Sequence, residues 1–234
     1  MFNRFKLSIL VKEIENRAWS TKSLSFLLGL IIIFFSVSSL FVNYENIIQQ
    51  LLVFSVICIL LCFFVFGVNI HIEHSTFGLS YYKFYYLKWI PIVYILTILS
   101  LVFLMPLWEF FLTHVINIKI EPQDILNELK NLNKPLHLIL FIFTSVIVAP
   151  LYEELIFRGI IFPKLLENFS FNKSMLISSL IFAVLHLHIP ALLPLFILSI
   201  VLCYLYVVTG TLWCCISLHA LFNAVTVTIY LLIN

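Results

Sequence analysis

Two carboxylates and a guanidinium stand within six residues of one another in the stretch Val148-Ala149-Pro150-Leu151-Tyr152-Glu153-Glu154-Leu155-Ile156-Phe157-Arg158-Gly159, inside an otherwise apolar part of the chain. Two imidazole-bearing patterns follow, each with a second residue four positions away: Phe182 with His186, and His219 with Asn223. A carboxylate or an imidazole can take a proton from water, and imidazole or amide N–H groups can stabilise the oxyanion that forms when water attacks a carbonyl. These are the parts of a hydrolytic site. At membrane depth an ionisable group costs about 2.5 to 3.5 kcal/mol on insertion scales, so such a cluster needs partners or water. A polar network that only joins helices would account for any one of these residues. A carboxylate, two histidines and an amide on three different helices are better explained by catalysis.

Helical spacing sorts these side chains into faces. Glu154 and Arg158 are four apart and can pair on one face, while Glu153 is turned about 100° away and can face elsewhere. The two glutamates should therefore have different roles. His188 points nearly opposite to His186, and Glu109, flanked by Pro106, Trp108 and His114, reads as an interfacial residue. If a helix runs from Pro135 to about Glu167, Glu153 lies near its middle, as His219 and Asn223 do in the last span. His186 falls about one turn past the centre of its own span, roughly 5 to 8 Å at 1.5 Å per residue. Pro150 should free a backbone carbonyl one turn back and bend the axis just before the glutamates.

The elements that must position these groups are membrane spans. Of 234 residues, 63% are hydrophobic and 10% charged, against roughly 25% charged in a soluble domain. The expected fold class is all-α, a polytopic membrane helix bundle of about seven transmembrane helices near 23–42, 47–68, 89–111, 136–160, 173–189, 191–209 and 211–232. The apolar runs do not alternate as β-barrel strands would. Residues 1–133 read as an N-terminal membrane region with an interfacial segment and about three spans, and 134–234 as a core of about four, together one integrated domain without linker or internal repeat.

A net charge of +2 with scattered basic residues excludes a nucleic-acid partner. The five cysteines, Cys58, Cys62, Cys203, Cys214 and Cys215, lie in apolar runs and read as packing residues. The first span reads as an uncleaved anchor. Arg4, Lys6, Lys12, Arg17 and Lys22, interspersed with apolar residues, suit an interfacial helix on anionic membrane lipids. His71 to Lys88 reads as an aromatic interfacial stretch, and His114 to Lys134 as carrying a short amphipathic surface helix. The lysine and arginine distribution places the N terminus in the cytoplasm and, with seven spans, the C terminus outside. Nothing in the sequence indicates an oligomeric state.

With Glu153-Glu154 and Arg158, Phe182 and His186, and His219 and Asn223 in that order on successive helices, the chain resembles the CPBP family of intramembrane endopeptidases, named for CAAX proteases and bacteriocin-processing enzymes and also called the Abi family. The resemblance covers about Lys134 to Asn234. It implies cleavage of a peptide bond in a membrane-associated protein or peptide, as in CAAX-type or bacteriocin leader processing. By that analogy Glu153 is the general base, assisted by His186, with His219 and Asn223 as oxyanion donors and Glu154-Arg158 as an orienting pair. The family has also been described as metalloproteases; no cofactor is favoured here, and if zinc is bound, Glu153, His186, His219 and Asn223 are its candidate ligands. The soluble zincin pattern His-Glu-x-x-His is absent.

Two other functions fit parts of the pattern. A non-catalytic bacteriocin immunity or partner-binding protein would need the fold without the chemistry, and a proton-coupled transporter could use the same carboxylates and histidines as a relay. Against the transporter stand the lack of repeated halves and of paired Gly/Pro-interrupted spans. Usage rich in Phe, Ile, Asn and Lys points to a low-GC bacterium, and so to a bacterial plasma membrane.

Overall fold

The computed structural model describes residues 4–17, 53, 55–57, 60, 78, 81–118 and 135–233. Among these, all regular structure is helical, as lipid requires of segments that must satisfy their own backbone hydrogen bonds. Four helices, Tyr85–Val115, Pro135–Leu166, Ile189–Thr209 and Leu212–Leu232, are long and apolar enough to cross a membrane, and Phe171–Leu185 is a shorter apolar helix. The chain is an integral membrane protein with an all-α bundle. These five helices lie within a few residues of the last five expected spans. The first span, the second apart from residues 53, 55–57 and 60, the 114–134 surface helix beyond residue 118 and half of the 71–88 stretch lie outside the described residues.

In chain order, α1 is Arg4–Glu15; α2 is Ile90–Phe110, entered through a 3-10 helix over Tyr81–Trp89; α3 is the long helix Pro135–Leu166; α4 is Phe171–Leu185; α5 is Leu192–Thr209; and α6 is Leu212–Ile233. Helix α3 is not uniform. It is α-helical over Pro135–Phe143, widens to a π turn over Thr144–Val148, returns to α over Ala149–Ile156, widens again over Phe157–Ile161 and closes as α over Phe162–Leu166. Each π turn directly precedes an α stretch whose second residue is proline, Pro150 and Pro163. A proline ring clashes with the carbonyl four residues back and brings no N–H; adding a residue to the turn relieves the clash but leaves a carbonyl without its ladder donor. Pro150, where the sequence leads one to expect a bend, follows directly on a widened turn.

Helix α4 lies along α5, and its buried residues include the small Ser174, Ser178, Ser179 and Ala183, which permit close approach. The α5–α6 connection turns at Gly210, whose φ of +64° is left-handed. Gly78 packs so closely there that a Cβ on it would lie 2.1 Å from the Gly210 oxygen. Arg17 donates to that oxygen at 3.0 Å and to the Tyr206 hydroxyl at 3.2 Å. The N-terminal helix expected on lipid is present as α1, but it buries Ile14 and rests Leu7, Leu10 and Val11 on the bundle core. An apolar face adjoining a protein surface packs there rather than only into the lipid interface. Cys203, Cys214 and Cys215 are buried free thiols, as expected; Cys58 and Cys62 lie outside the described residues.

Candidate active site

Glu153 and Glu154 occupy the α-helical stretch of α3 between its two π turns. Glu154 and Arg158 are both 0% exposed, with Arg158 Nη1 donating to Glu154 Oε1 at 2.7 Å. The same guanidinium donates through Nη2 to the Ser199 carbonyl at 3.1 Å and to its hydroxyl at 2.7 Å, and stands 5.0 Å from the Phe182 ring centroid. Glu154 Oε1 also meets His219 Nδ1 at 2.8 Å. The expected Glu154–Arg158 pair is therefore present, with a further partner, Ser199, that the sequence did not point to. The only trace of Ser199 is its polarity within Leu195-Phe196-Ile197-Leu198-Ser199-Ile200-Val201.

Glu153 faces the other way, with its side chain 17% exposed. Its Oε2 is buried and makes no hydrogen bond within the described residues, lying 3.8 Å from His186 Nε2 and 3.7 Å from His219 Nε2. The bonds on the far side of each ring assign the imidazole protons. His186 Nδ1 is 2.7 Å from the Phe182 carbonyl, which can only accept, and His219 Nδ1 is held by the Glu154 carboxylate. Each Nδ1 therefore carries a proton, and in the neutral rings each Nε2 is an acceptor. Three acceptors on three helices converge, an arrangement that attracts a donor such as water or a cation.

Among the described residues no group of three His, Cys, Asp or Glu side chains is placed to hold a metal ion. The donor types are nevertheless those zinc takes, and the Glu154 contact at His219 Nδ1 is of the kind that orients a zinc-binding histidine. Neighbouring ligands of a tetrahedral zinc lie about 3.4 Å apart, so the 3.7 and 3.8 Å separations would have to close by a few tenths of an ångström.

Phe182, fully buried, forms the wall between the two glutamate environments. Its ring packs edge-on to Phe157 at 4.9 Å and to His219 at 5.7 Å, and tilted against His186 at 4.8 Å. Asn223, on the same face of α6 as His219, donates its amide to the Ser145 carbonyl at 2.9 Å. The two remaining candidates stand outside the cluster. His188 accepts the Ala191 N–H at the start of the turn before α5, and Glu109 is exposed near the end of α2. All seven motif residues are thus brought to one region, Asn223 through the backbone of α3.

Residues 135–225 match the family model described as Type II CAAX prenyl endopeptidase Rce1-like. The "Putative membrane peptidase YdiL" of Bacillus subtilis (strain 168) is 38% identical over 92 residues, covering 39% of this chain and 38% of that protein. No solved structure matches the chain. The resemblance to the CPBP family is borne out, and the matched segment contains all seven motif residues.

Proposed function

We propose that this protein is an intramembrane endopeptidase that hydrolyses a peptide bond in a membrane-associated protein or peptide, working from a bacterial plasma membrane. The observation that carries this reading is Glu153 Oε2, buried, without a hydrogen bond among the described residues and faced by two imidazole acceptors. A water bound among these atoms gives one proton to Glu153 and points its other toward His186 Nε2, while its oxygen bonds to the peptide carbonyl carbon. The oxyanion that develops is met by His219 once the Nε2 that is an acceptor in the neutral ring has taken a proton from solvent, the resulting charge balanced by Glu154 at Nδ1. The C–N bond then breaks as Glu153 passes its proton to the leaving nitrogen. Glu154, Arg158 and Ser199 hold His219 in register. Were zinc bound, Glu153, His186 and His219 would hold it, with Asn223 nearby, and it would supply Lewis-acid polarisation of the carbonyl.

A cytoplasmic N terminus fits the layout. Helix α1 packs on the end of α3 and on α5, Arg17 just after it bonds to the α5–α6 turn, and Lys12, Lys88, Lys164 and Lys173 belong to the helix ends on that side, where positive residues mark the cytoplasm.

Membranes from cells making the wild-type chain or Glu153→Ala should differ in a small set of membrane-associated peptides that accumulate uncut in the variant. Indistinguishable peptide sets from the two membranes would refute proteolysis. Activity lost to a chelator and regained with zinc would replace the metal-free route with the metal-assisted one.

A further inference from the structure

The structure assigns Asn223 a positioning role, in which its side-chain amide stands in for the backbone N–H that Pro150 lacks and so fixes the register of the helix that carries Glu153. In the first π turn of α3 the Ala149 N–H bonds to the Thr144 carbonyl five residues back. The next rung of that ladder would run from residue 150 to the Ser145 carbonyl, and residue 150 is proline. Ser145 thereby loses its ladder donor. Asn223 Nδ2, on α6, donates to that carbonyl at 2.9 Å.

One turn earlier on α6, His219 Nδ1 bonds to Glu154. Helix α6 therefore grips α3 at two points, Ser145 and Glu154, with Glu153 between them in sequence. The four-residue spacing of His219 and Asn223 matches both grips with a single helix face. This rests on the proposed peptidase reading for its functional consequence, because displacing Glu153 by about 1 Å would misplace the attacking water. The clamp itself is a matter of stability and can be tested without any substrate.

The test is a double-mutant cycle on the full chain in membranes or detergent, comparing wild type, Asn223→Ala, Pro150→Ala and the double variant by thermal unfolding midpoint and, separately, by cleavage rate. An alanine at 150 restores an N–H, and whether the turn stays π or returns to α, the Ser145 carbonyl regains a backbone donor. Asn223→Ala should lower the midpoint and slow cleavage by about 10²-fold in kcat, and both losses should shrink by about tenfold in the Pro150→Ala background. Equal losses of cleavage in both backgrounds, with the midpoint unmoved by Asn223→Ala, would overturn the assignment and make Asn223 a direct contact of the substrate. Asn223→Asp gives an arm independent of Pro150→Ala. It keeps the shape but turns a carboxylate oxygen to the carbonyl, so its midpoint should fall below that of Asn223→Ala; equal midpoints would also overturn the clamp. Absence of cleavage in every chain, with midpoint coupling intact, would sink the peptidase reading alone.

Discussion

Glu153 and Glu154 are neighbours on one helix, yet they face two different solvents. Glu154 looks into a sealed compartment where it, Arg158 and Ser199 are all fully buried and its Oε1 is shared between Arg158 and His219. Glu153 looks into a partly open one, 17% exposed beside a His186 that is 27% exposed, where acceptors face acceptors. A buried ion pair in a dry site fixes geometry, because removing either partner leaves a charge unpaired, even though Glu154 Oε2 and Arg158 Nε, like Glu153 Oε2, make no hydrogen bond among the described residues. Unsatisfied groups beside an opening do the reverse, since they stabilise whatever enters more than they stabilise the fold.

The sharpest break of that contrast is Glu153→Ala. It should lower cleavage by about 10²- to 10⁴-fold, the span of a lost general base, while leaving the unfolding midpoint unchanged or slightly raised, because Oε2 has no hydrogen bond to lose among the described residues. His186→Ala should behave similarly. A midpoint that falls with either would move the open compartment into the scaffold.

Glu154→Gln probes the sealed side, because it leaves the Arg158 cation without a counter-charge in a fully buried position. The expected cost is about 3 to 5 kcal/mol of stability, with cleavage lost alongside. Wild-type stability in that variant would show that the two compartments do not differ as described. Ser199→Ala removes one charge-assisted hydrogen bond from the same guanidinium, and unfolding should register about 1.5 to 3 kcal/mol.

How much of this is legible in the sequence depends on the distance over which each feature acts. Apolar runs fix helices locally, so the five described helices follow the expected spans closely, and the Glu154–Arg158 pair follows from i,i+4 geometry on one helix. The Ser199 cradle and the Asn223–Ser145 bond join residues 41 and 78 positions apart, and no periodicity within one helix encodes which carbonyl a distant amide meets. Pro150 announces a disturbed ladder, but whether a helix bends or widens there depends on a partner from elsewhere in the chain. The amphipathic face of α1 is equally visible, whereas its choice of protein over lipid depends on α3 and α5 being adjacent.

Phe182 gives the smallest and most discriminating effect, because it touches both compartments: its ring carries Arg158 on the sealed side and rests against His186 and His219 on the open one. Phe182→Leu keeps an apolar side chain but removes the ring face, so the cation–π contact and part of the packing are lost, together about 1 to 2 kcal/mol. The imidazoles keep their hydrogen bonds at Nδ1, so they loosen without leaving, and cleavage should fall by no more than about tenfold. Stability and activity should thus decline together and modestly, as expected of a partition. A loss of cleavage as deep as that of Glu153→Ala with an unmoved midpoint would place the ring against the substrate. A stability loss as large as that of Glu154→Gln would make it part of the sealed scaffold, and either result would erase the boundary on which the two-compartment comparison stands.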